Sequence, residues 1–317
     1  MPITRRHLLA VSAAVAARAQ NRKRWEPKLG ILGRYSPKNL AFARQAGCSS
    51  VQFMSDGQTL NAMRVDDRRL EAVKAEVAQA GLYLSSVGDT VNHIAPEPEA
   101  RARAIARFSK VIEMTGKLGA PYAATASGTM PGKPLREQVD QIVRVYTESY
   151  FPLCQKYNVK ILWEPWAGGP NIATGPVGYE ALFKAFNNSP YVGLQFDPSH
   201  LQWQMMDPIQ CARDFVDKIW DVHLKDVEIM WPVLRRTGIN PLTRERWWRF
   251  RLPGSGMVDW KGLFTVLADA GYRGAMNIEN EDNFYYPAYE RDSADFTPQF
   301  RRGFEVALRY LRQYVPA

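Results

Sequence analysis

Three carboxylates and one imidazole stand at matching places in this chain, each at or near the end of a short apolar run. Glu164 follows Ile161-Leu162-Trp163, Asp197 follows Val192 to Phe196, His223 lies within Ile219 to Lys225, and Glu279 follows Gly274 to Ile278. Strand residues alternate faces, so the apolar set of each run points one way and the ionisable residue the other. Val192, Leu194 and Phe196 leave Gln195 and Asp197 opposite; Trp220, Val222 and Leu224 leave Asp221, His223 and Lys225; Met276 and Ile278 leave Asn277 and Glu279. Three buried acids beside a neutral imidazole repel one another, and a divalent cation shared by Glu164, Asp197, His223 and Glu279 removes that cost. The oxygen-rich set with one nitrogen suits one such ion, Mn²⁺ or Mg²⁺ first, with Mn²⁺ preferred, then Co²⁺ or Zn²⁺. That ion would acidify a C–H beside a carbonyl, leaving Glu164 and Glu279 to remove the proton and return it.

Other residues extend the cluster. Lys225 lies one inward step beyond His223, where it either steadies a developing oxyanion or pairs with a barrel acid such as Asp221. His200, three residues after Asp197, is expected to hydrogen-bond a substrate hydroxyl, and His93, just past the third strand, to reach the same rim. Aromatics crowd this end: Trp166, Trp203, Trp231, Trp247, Trp248 and Phe284-Tyr285-Tyr286. Sugar C–H faces stack on such rings, so Trp166 joins the substrate-binding candidates and a saccharide pocket is expected. No Gly-rich phosphate cradle is visible, which favours an unphosphorylated ligand.

Eight apolar runs must position these groups: Leu29 to Gly33, Ser49 to Phe53, Leu82 to Val87, Tyr122 to Ser127, Lys160 to Glu164, Val192 to Asp197, Ile219 to Lys225 and Gly274 to Glu279. Amphipathic stretches fit between them: Pro37 to Ala46, Asp66 to Ala80, Pro98 to Leu118, Pro134 to Tyr157, Pro176 to Asn187, Pro208 to Val216 and Asp259 to Ala270, with Pro298 to Tyr314 closing the series. Several open on Pro and close on Gly, as helices do. Eight consecutive βα units without a linker predict an α/β fold, a single-domain (β/α)₈ TIM barrel over residues 29–317. An open doubly wound sheet is disfavoured by the lack of a G-x-G-x-x-G turn after the first strand. Residues 226–256 interrupt the rhythm as an inserted loop, expected to cover the substrate on the catalytic face.

Trp163-Glu164-Pro165, Phe196-Asp197-Pro198-Ser199-His200-Leu201, His223-Leu224-Lys225-Asp226, Gly254-Ser255-Gly256-Met257-Val258-Asp259-Trp260 and Asn277-Ile278-Glu279 form a motif series that resembles the xylose isomerase-like barrels, the sugar phosphate isomerase/epimerase superfamily. The resemblance runs from about Leu29 to the C-terminus and is strongest after Lys160. It implies a metal on Glu164, Asp197, His223 and Glu279, His200 near the substrate, a small sugar as partner, and a homo-oligomer paired through the barrels. Departures narrow it. Ketose 3-epimerases carry a Glu six residues after the first metal Glu and an Arg six after the metal His, where this chain has Pro170 and Ile229, although Arg235 or Arg236 could approach from the insertion. Endonuclease IV needs further histidines and an Asp-x-His after the seventh strand, whereas this chain has four histidines in all and none beyond His223, which argues against a nucleic-acid partner. His223-Leu224-Lys225-Asp226 resembles the corresponding stretch of inosose dehydratase and its unassigned relatives, so elimination from a keto-sugar, keto-inositol or 3-keto-glycoside stands beside isomerisation and epimerisation. A metal-dependent sugar-binding protein without turnover is the reading from a different class.

The chain has 317 residues, 46% of them hydrophobic and 23% charged, enough to bury a large core and incompatible with a disordered or fibrous protein. Its formal charge of +9 comes from 41 Lys and Arg against 32 Asp and Glu, but Arg5, Arg6 and Arg18 belong to a separate N-terminal signature, leaving about +6. Thr4-Arg5-Arg6-His7-Leu8-Leu9, the apolar run to Ala17 and the small-x-small Ala17-Arg18-Ala19 resemble a twin-arginine signal peptide over residues 1–19, followed by a linker at 20–28. That address predicts a periplasmic or secreted protein, free of the membrane once cleaved. Cys48, Cys154 and Cys211 are widely spaced and read as core thiols.

Overall fold

In a computed structural model, which describes residues 25–243, 245–286 and 293–315, eight parallel strands close into a barrel. They are β1 (Lys28–Gly33), β2 (Ser50–Met54), β3 (Tyr83–Gly88), β4 (Tyr122–Thr125), β5 (Lys160–Trp163), β6 (Val192–Phe196), β7 (Ile219–Leu224) and β10 (Ala275–Ile278), each within about two residues of its expected bounds. The cyclic order β1-β10-β7-β6-β5-β4-β3-β2 makes sequence neighbours spatial neighbours, as βα units require. The predicted signal segment lies outside the described residues.

Helices cover the outside: α1 (Pro37–Gln45), α2 (Asp67–Gln79), α3 (Pro98–Leu118), α4 (Leu135–Val145), α5 (Phe151–Tyr157), α6 (Pro176–Ala185), α7 (Pro198–Trp203), α8 (Pro208–Asp214), α9 (Trp231–Thr237), α10 (Trp260–Asp269) and α11 (Pro298–Leu311). The outward strand residues Val192, Leu194, Phe196, Val222, Leu224, Met276 and Ile278 are fully buried beneath them. The single helix expected over Pro134 to Tyr157 is instead α4 and α5 joined by a π-helical turn, Tyr146–Tyr150. Pro152 explains the break: its nitrogen donates no hydrogen bond and its ring crowds the carbonyl four residues back, so the helix widens before it.

The interior is polar where barrels are usually filled by branched apolar side chains. Near the bottom, Asn277 Oδ1 accepts from Ser50 Oγ (2.9 Å), while Asn277 Nδ2 donates to Ser85 Oγ (2.9 Å) and approaches Asp221 Oδ1 (3.4 Å). Gly30 lines this layer because a Cβ there would lie 2.1 Å from the Ser50 carbonyl oxygen. Above it, Gln195 Nε2 donates to Gln52 Oε1 at 3.1 Å and reaches Ser86 Oγ at 3.5 Å. These layers lead to the mouth formed by the strand C-termini.

The insertion is ordered rather than a plain loop. β8 (Asp226–Ile229) pairs antiparallel with β9 (Trp248–Arg251), and α9 lies between them. Asp226 pins its two ends: the carboxylate accepts from the backbone nitrogens of Val227 (2.8 Å), Gly254 (3.0 Å) and Val258 (3.0 Å) and from Trp260 Nε1 (2.9 Å).

Candidate active site

Glu164, Asp197, His223 and Glu279 converge at the mouth, each offering one ligand atom, and those atoms all lie within 4.8 Å of one another. Local structure aims each one. Asp197 is the N-cap of α7, its Oδ1 accepting from Ser199 N (2.8 Å) and Ser199 Oγ (2.7 Å), which turns Oδ2 toward the cluster. His223 Nε2 faces Gln52 Oε1 at 2.9 Å, leaving Nδ1 pointed at Glu164 Oε1 (2.9 Å) and Glu279 Oε2 (3.0 Å). Glu164 follows β5 with its backbone nitrogen held by the Thr125 carbonyl at 3.2 Å, and Glu279 follows β10 with its own on Leu224 at 3.3 Å.

Lys225 is the group inside this ring of acids. Its Nζ donates to Glu279 Oε2 (2.7 Å) and Glu281 Oε2 (3.0 Å), lies 3.2 Å from Asp197 Oδ2 and from His200 Nε2, and sits 4.4 Å from the centre of the Phe250 ring. The partners are therefore the rim carboxylates and not Asp221, which stays in the bottom layer. His200 is drawn in as well: carried by α7, its Nε2 is 3.6 Å from Glu164 Oε1 and 3.5 Å from Asp197 Oδ2, while Trp203 Nε1 donates to its Nδ1 at 3.3 Å.

Charges in this cluster compensate one another. Burial disfavours ionised Glu164, but His223, His200 and Lys225 outweigh it and hold the carboxyl well below the usual range. Glu279, opposed by burial and pulled mainly by Lys225, falls to about 2. Burial also works against the charges of His223 and Lys225, yet the surrounding carboxylates hold both well above their ordinary values. Burial, with Glu279 beside it and against the pull of Lys225, raises Glu281.

The residues present fit a divalent cation. Asp197 Oδ2 is fully buried and accepts no hydrogen bond, which leaves a lone pair aimed into the ring of donors. Three carboxylates and an imidazole whose far nitrogen is held by Gln52 form an oxygen-rich set with a fixed ligand nitrogen. Pairing with Lys225 and His223 covers the same charge in the metal-free protein.

Several sequence expectations shift in position. His93 does not reach the rim: it is fully buried one layer out, with Nδ1 2.7 Å from Tyr150 Oη and Nε2 3.0 Å from Thr125 Oγ1, packed edge-on by Phe108. Its burial follows from the bulk that α3 and the π-helical turn pack against the third and fourth strands. Arg235 and Arg236 are exposed on α9, away from the residues that line the mouth. Trp166 is partly exposed at the edge of a groove that also includes Trp203, Trp247 and Trp248. Gln52, Glu281 and Phe250 escaped the sequence reading. Gln52 was open to the same alternation, being the polar residue between Val51 and Phe53, and Glu281 lies one inward step beyond Glu279. Phe250 alternates with Arg249 and Arg251, but its approach to the site depends on how the insertion folds back.

Comparison with known proteins agrees with this architecture. Residues 40–302 match the family model described as xylose isomerase-like TIM barrel. The uncharacterized protein YfiH of Bacillus subtilis (strain 168) is 38% identical over 113 residues, 32% of this chain and 36% of that protein. An inosose dehydratase of Clostridium tetani (strain Massachusetts / E88) is 28% identical over 134 residues, 41% of this chain and 43% of its own. The chain thus spans less than half the length of these first curated relatives. A D-allulose 3-epimerase from Methylomonas sp., solved with D-allulose, superposes with a TM-score of 0.67 at 17% identity, covering 91% of this chain and 97% of that one, which is a likeness of fold.

Proposed function

This chain belongs to the xylose isomerase-like TIM barrel family, and on that footing we propose that it is a metal-dependent isomerase or epimerase of an unphosphorylated sugar or sugar derivative. One relationship carries the reading. Glu164 and Glu279 leave β5 and β10, the strands on either side of the β6–β7 pair that bears Asp197 and His223, so two ionised carboxylates face one point from opposite sides. Glu164, Asp197, His223 and Glu279 would hold the cation, Mn²⁺ by preference, and when bound it supplies electrophilic pull on a carbonyl and its neighbouring hydroxyl, acidifying the adjacent C–H. The depressed acidity ranges of Glu164 and Glu279 keep both as bases at neutral pH. One ionised carboxylate takes the proton, and the other delivers a proton that it has first taken up from water or a substrate hydroxyl. Delivery to the opposite face of the same carbon epimerises; delivery to the neighbouring carbon exchanges aldose and ketose. His200, against Glu164 and Asp197, is placed to orient a substrate hydroxyl.

Lys225 favours a second outcome from the same deprotonation. Its ammonium, 2.7 Å from Glu279 and 3.2 Å from His200, stands where it can hydrogen-bond a hydroxyl leaving from the carbon β to the carbonyl. The C–H electrons then form the new double bond as hydroxide departs and takes up a proton as water, which is a dehydratase. The inosose dehydratase relative supports this alternative.

The test is incubation of the Mn²⁺-loaded protein with free ketoses, aldoses, keto-inositols and 3-keto-glycosides in deuterated water. Deuterium uptake beside a carbonyl is expected, with or without elimination. E164Q or E279Q should retain sugar binding while exchange stops. A non-catalytic receptor would instead lose metal and sugar together in both variants, and no exchange across the panel would sink the reading. We also propose that residues 1–19 are a twin-arginine export signal placing the protein in the periplasm or outside the cell. N-terminal sequencing of the native protein should begin at Gln20.

A further inference from the structure

A groove of about 520 Å³ runs beside the acid cluster, walled by Trp166, Trp203, Trp247, Trp248, Phe250 and Glu281. We propose that it is a second-ring subsite, so that the substrate is a glycoside or disaccharide whose carbonyl-bearing ring sits over Glu164 and Glu279 while its second sugar ring lies against the tryptophans. This deepens the proposed function and rests on it.

Continuity with the mouth is the first reason. Glu281 lines the groove and bonds Lys225 Nζ at 3.0 Å, and Phe250 lines it while its ring faces Lys225 at 4.4 Å and meets His200 edge-on at 5.3 Å. Trp203, on the groove wall, donates to His200 Nδ1. A molecule in the groove is thus one side chain away from one at the cluster.

The chemistry of the wall is the second reason. Trp203 and Trp248 stack at 4.7 Å with 14° between their planes, fixing the wall, and the Arg246 guanidinium lies 5.3 Å from the Trp248 ring. Flat apolar faces beside Arg246, Glu245 and Glu281 match a pyranose, which offers C–H faces to rings and hydroxyls to charged groups at its edge. The volume falls within the roughly 300–1,000 Å³ of small-molecule sites.

Trp166 supplies the third. Its indole is partly exposed, and the chain turns back over it at Gly168 and Gly169, where added Cβ atoms would lie 2.7 Å and 2.3 Å from the ring. Side chains at those positions would displace the indole. Two glycines therefore leave room for an exposed aromatic face on the groove wall, two residues along the chain from Glu164.

Calorimetric titration of the Mn²⁺-loaded protein compares D-fructose with lactulose and isomaltulose, and 3-keto-D-glucose with 3-ketosucrose. A gain of at least about tenfold in affinity from the second ring is expected in at least one pair, equivalent to about 1.4 kcal/mol. W166A should bring the two-ring to one-ring affinity ratio close to one, and W166F should keep part of it. Single rings that bind as tightly as their two-ring partners overturn the subsite and leave the sugar-enzyme reading intact. If no sugar of either length binds, both fall. A ratio unchanged in W166A and in W248A also overturns the subsite.

Discussion

Gln52 and His223 meet across the barrel interior, Gln52 Oε1 lying 2.9 Å from His223 Nε2 while the same oxygen accepts from Gln195 Nε2 at 3.1 Å. The carbonyl oxygen accepts from the Nε2–H of His223 and keeps Nδ1 on the side of Glu164 and Glu279, where it would bind a cation on releasing its own proton. Partners of this kind around a metal-ligating histidine contribute about 10–100-fold to affinity. Q52L should weaken Mn²⁺ binding by that order, measured by calorimetry, with a smaller loss in Q52N if its shorter carbonyl still reaches the ring. Unchanged affinity in Q52L would show that His223 is held by its packing alone.

Lys225 raises a different expectation because it serves the metal-free protein most. Its ammonium is fully buried against Glu279, Asp197 and Glu281, and removing one partner from such a cluster costs about 3–5 kcal/mol by leaving charge uncompensated. Bound cation replaces part of that compensation. K225M should therefore lower the melting temperature of chelator-treated protein by more than it lowers that of Mn²⁺-saturated protein. For the unaltered chain, Mn²⁺ at a hundred times its dissociation constant should add about 2.7 kcal/mol. Equal losses in K225M with and without Mn²⁺ would separate Lys225 from the cation's charge balance.

The barrel and the four converging donors were legible because both rest on period-two alternation. Val192, Leu194 and Phe196 had to face the helices, which left Gln195 and Asp197 for the axis, and β6 in the structure does this. The same logic reached Lys225 but not its partners, since Glu279 and Glu281 meet it from another strand end whose register no local pattern states. His93 was misplaced for a related reason. A histidine just past a strand can turn to the rim or to the helix layer, and the choice was made by Tyr150, Tyr146 and Phe108, distant in sequence. The insertion's hairpin was missed although Trp248-Arg249-Phe250-Arg251 alternates apolar and basic residues, because so short a run inside a Trp- and Arg-rich stretch does not state its partner, and the pairing with Asp226–Ile229 is fixed by the Asp226 carboxylate gripping Gly254, Val258 and Trp260.

His93 gives the clearest pH dependence outside the acid cluster. Burial, against a backbone hydrogen bond at Ala126, lowers its pKa from 6.5 to about 3, so the folded protein keeps the ring neutral between Tyr150 and Thr125. In the unfolded chain the ring protonates below about pH 6.5. Between those two values the unfolded state therefore binds more protons, and stability falls as pH falls through the window, being fully present above it. The slope from this residue is at most about 1.4 kcal/mol per pH unit. Urea unfolding of wild type and H93Q between pH 7.5 and pH 5 isolates it, because the carboxylates contribute to both proteins alike. H93Q should be less stable at pH 7.5, where it loses the fitted ring, and the gap should narrow toward pH 5. Parallel curves would mean that the imidazole is reached by protons in the folded state, contrary to its enclosure by the aromatic layer.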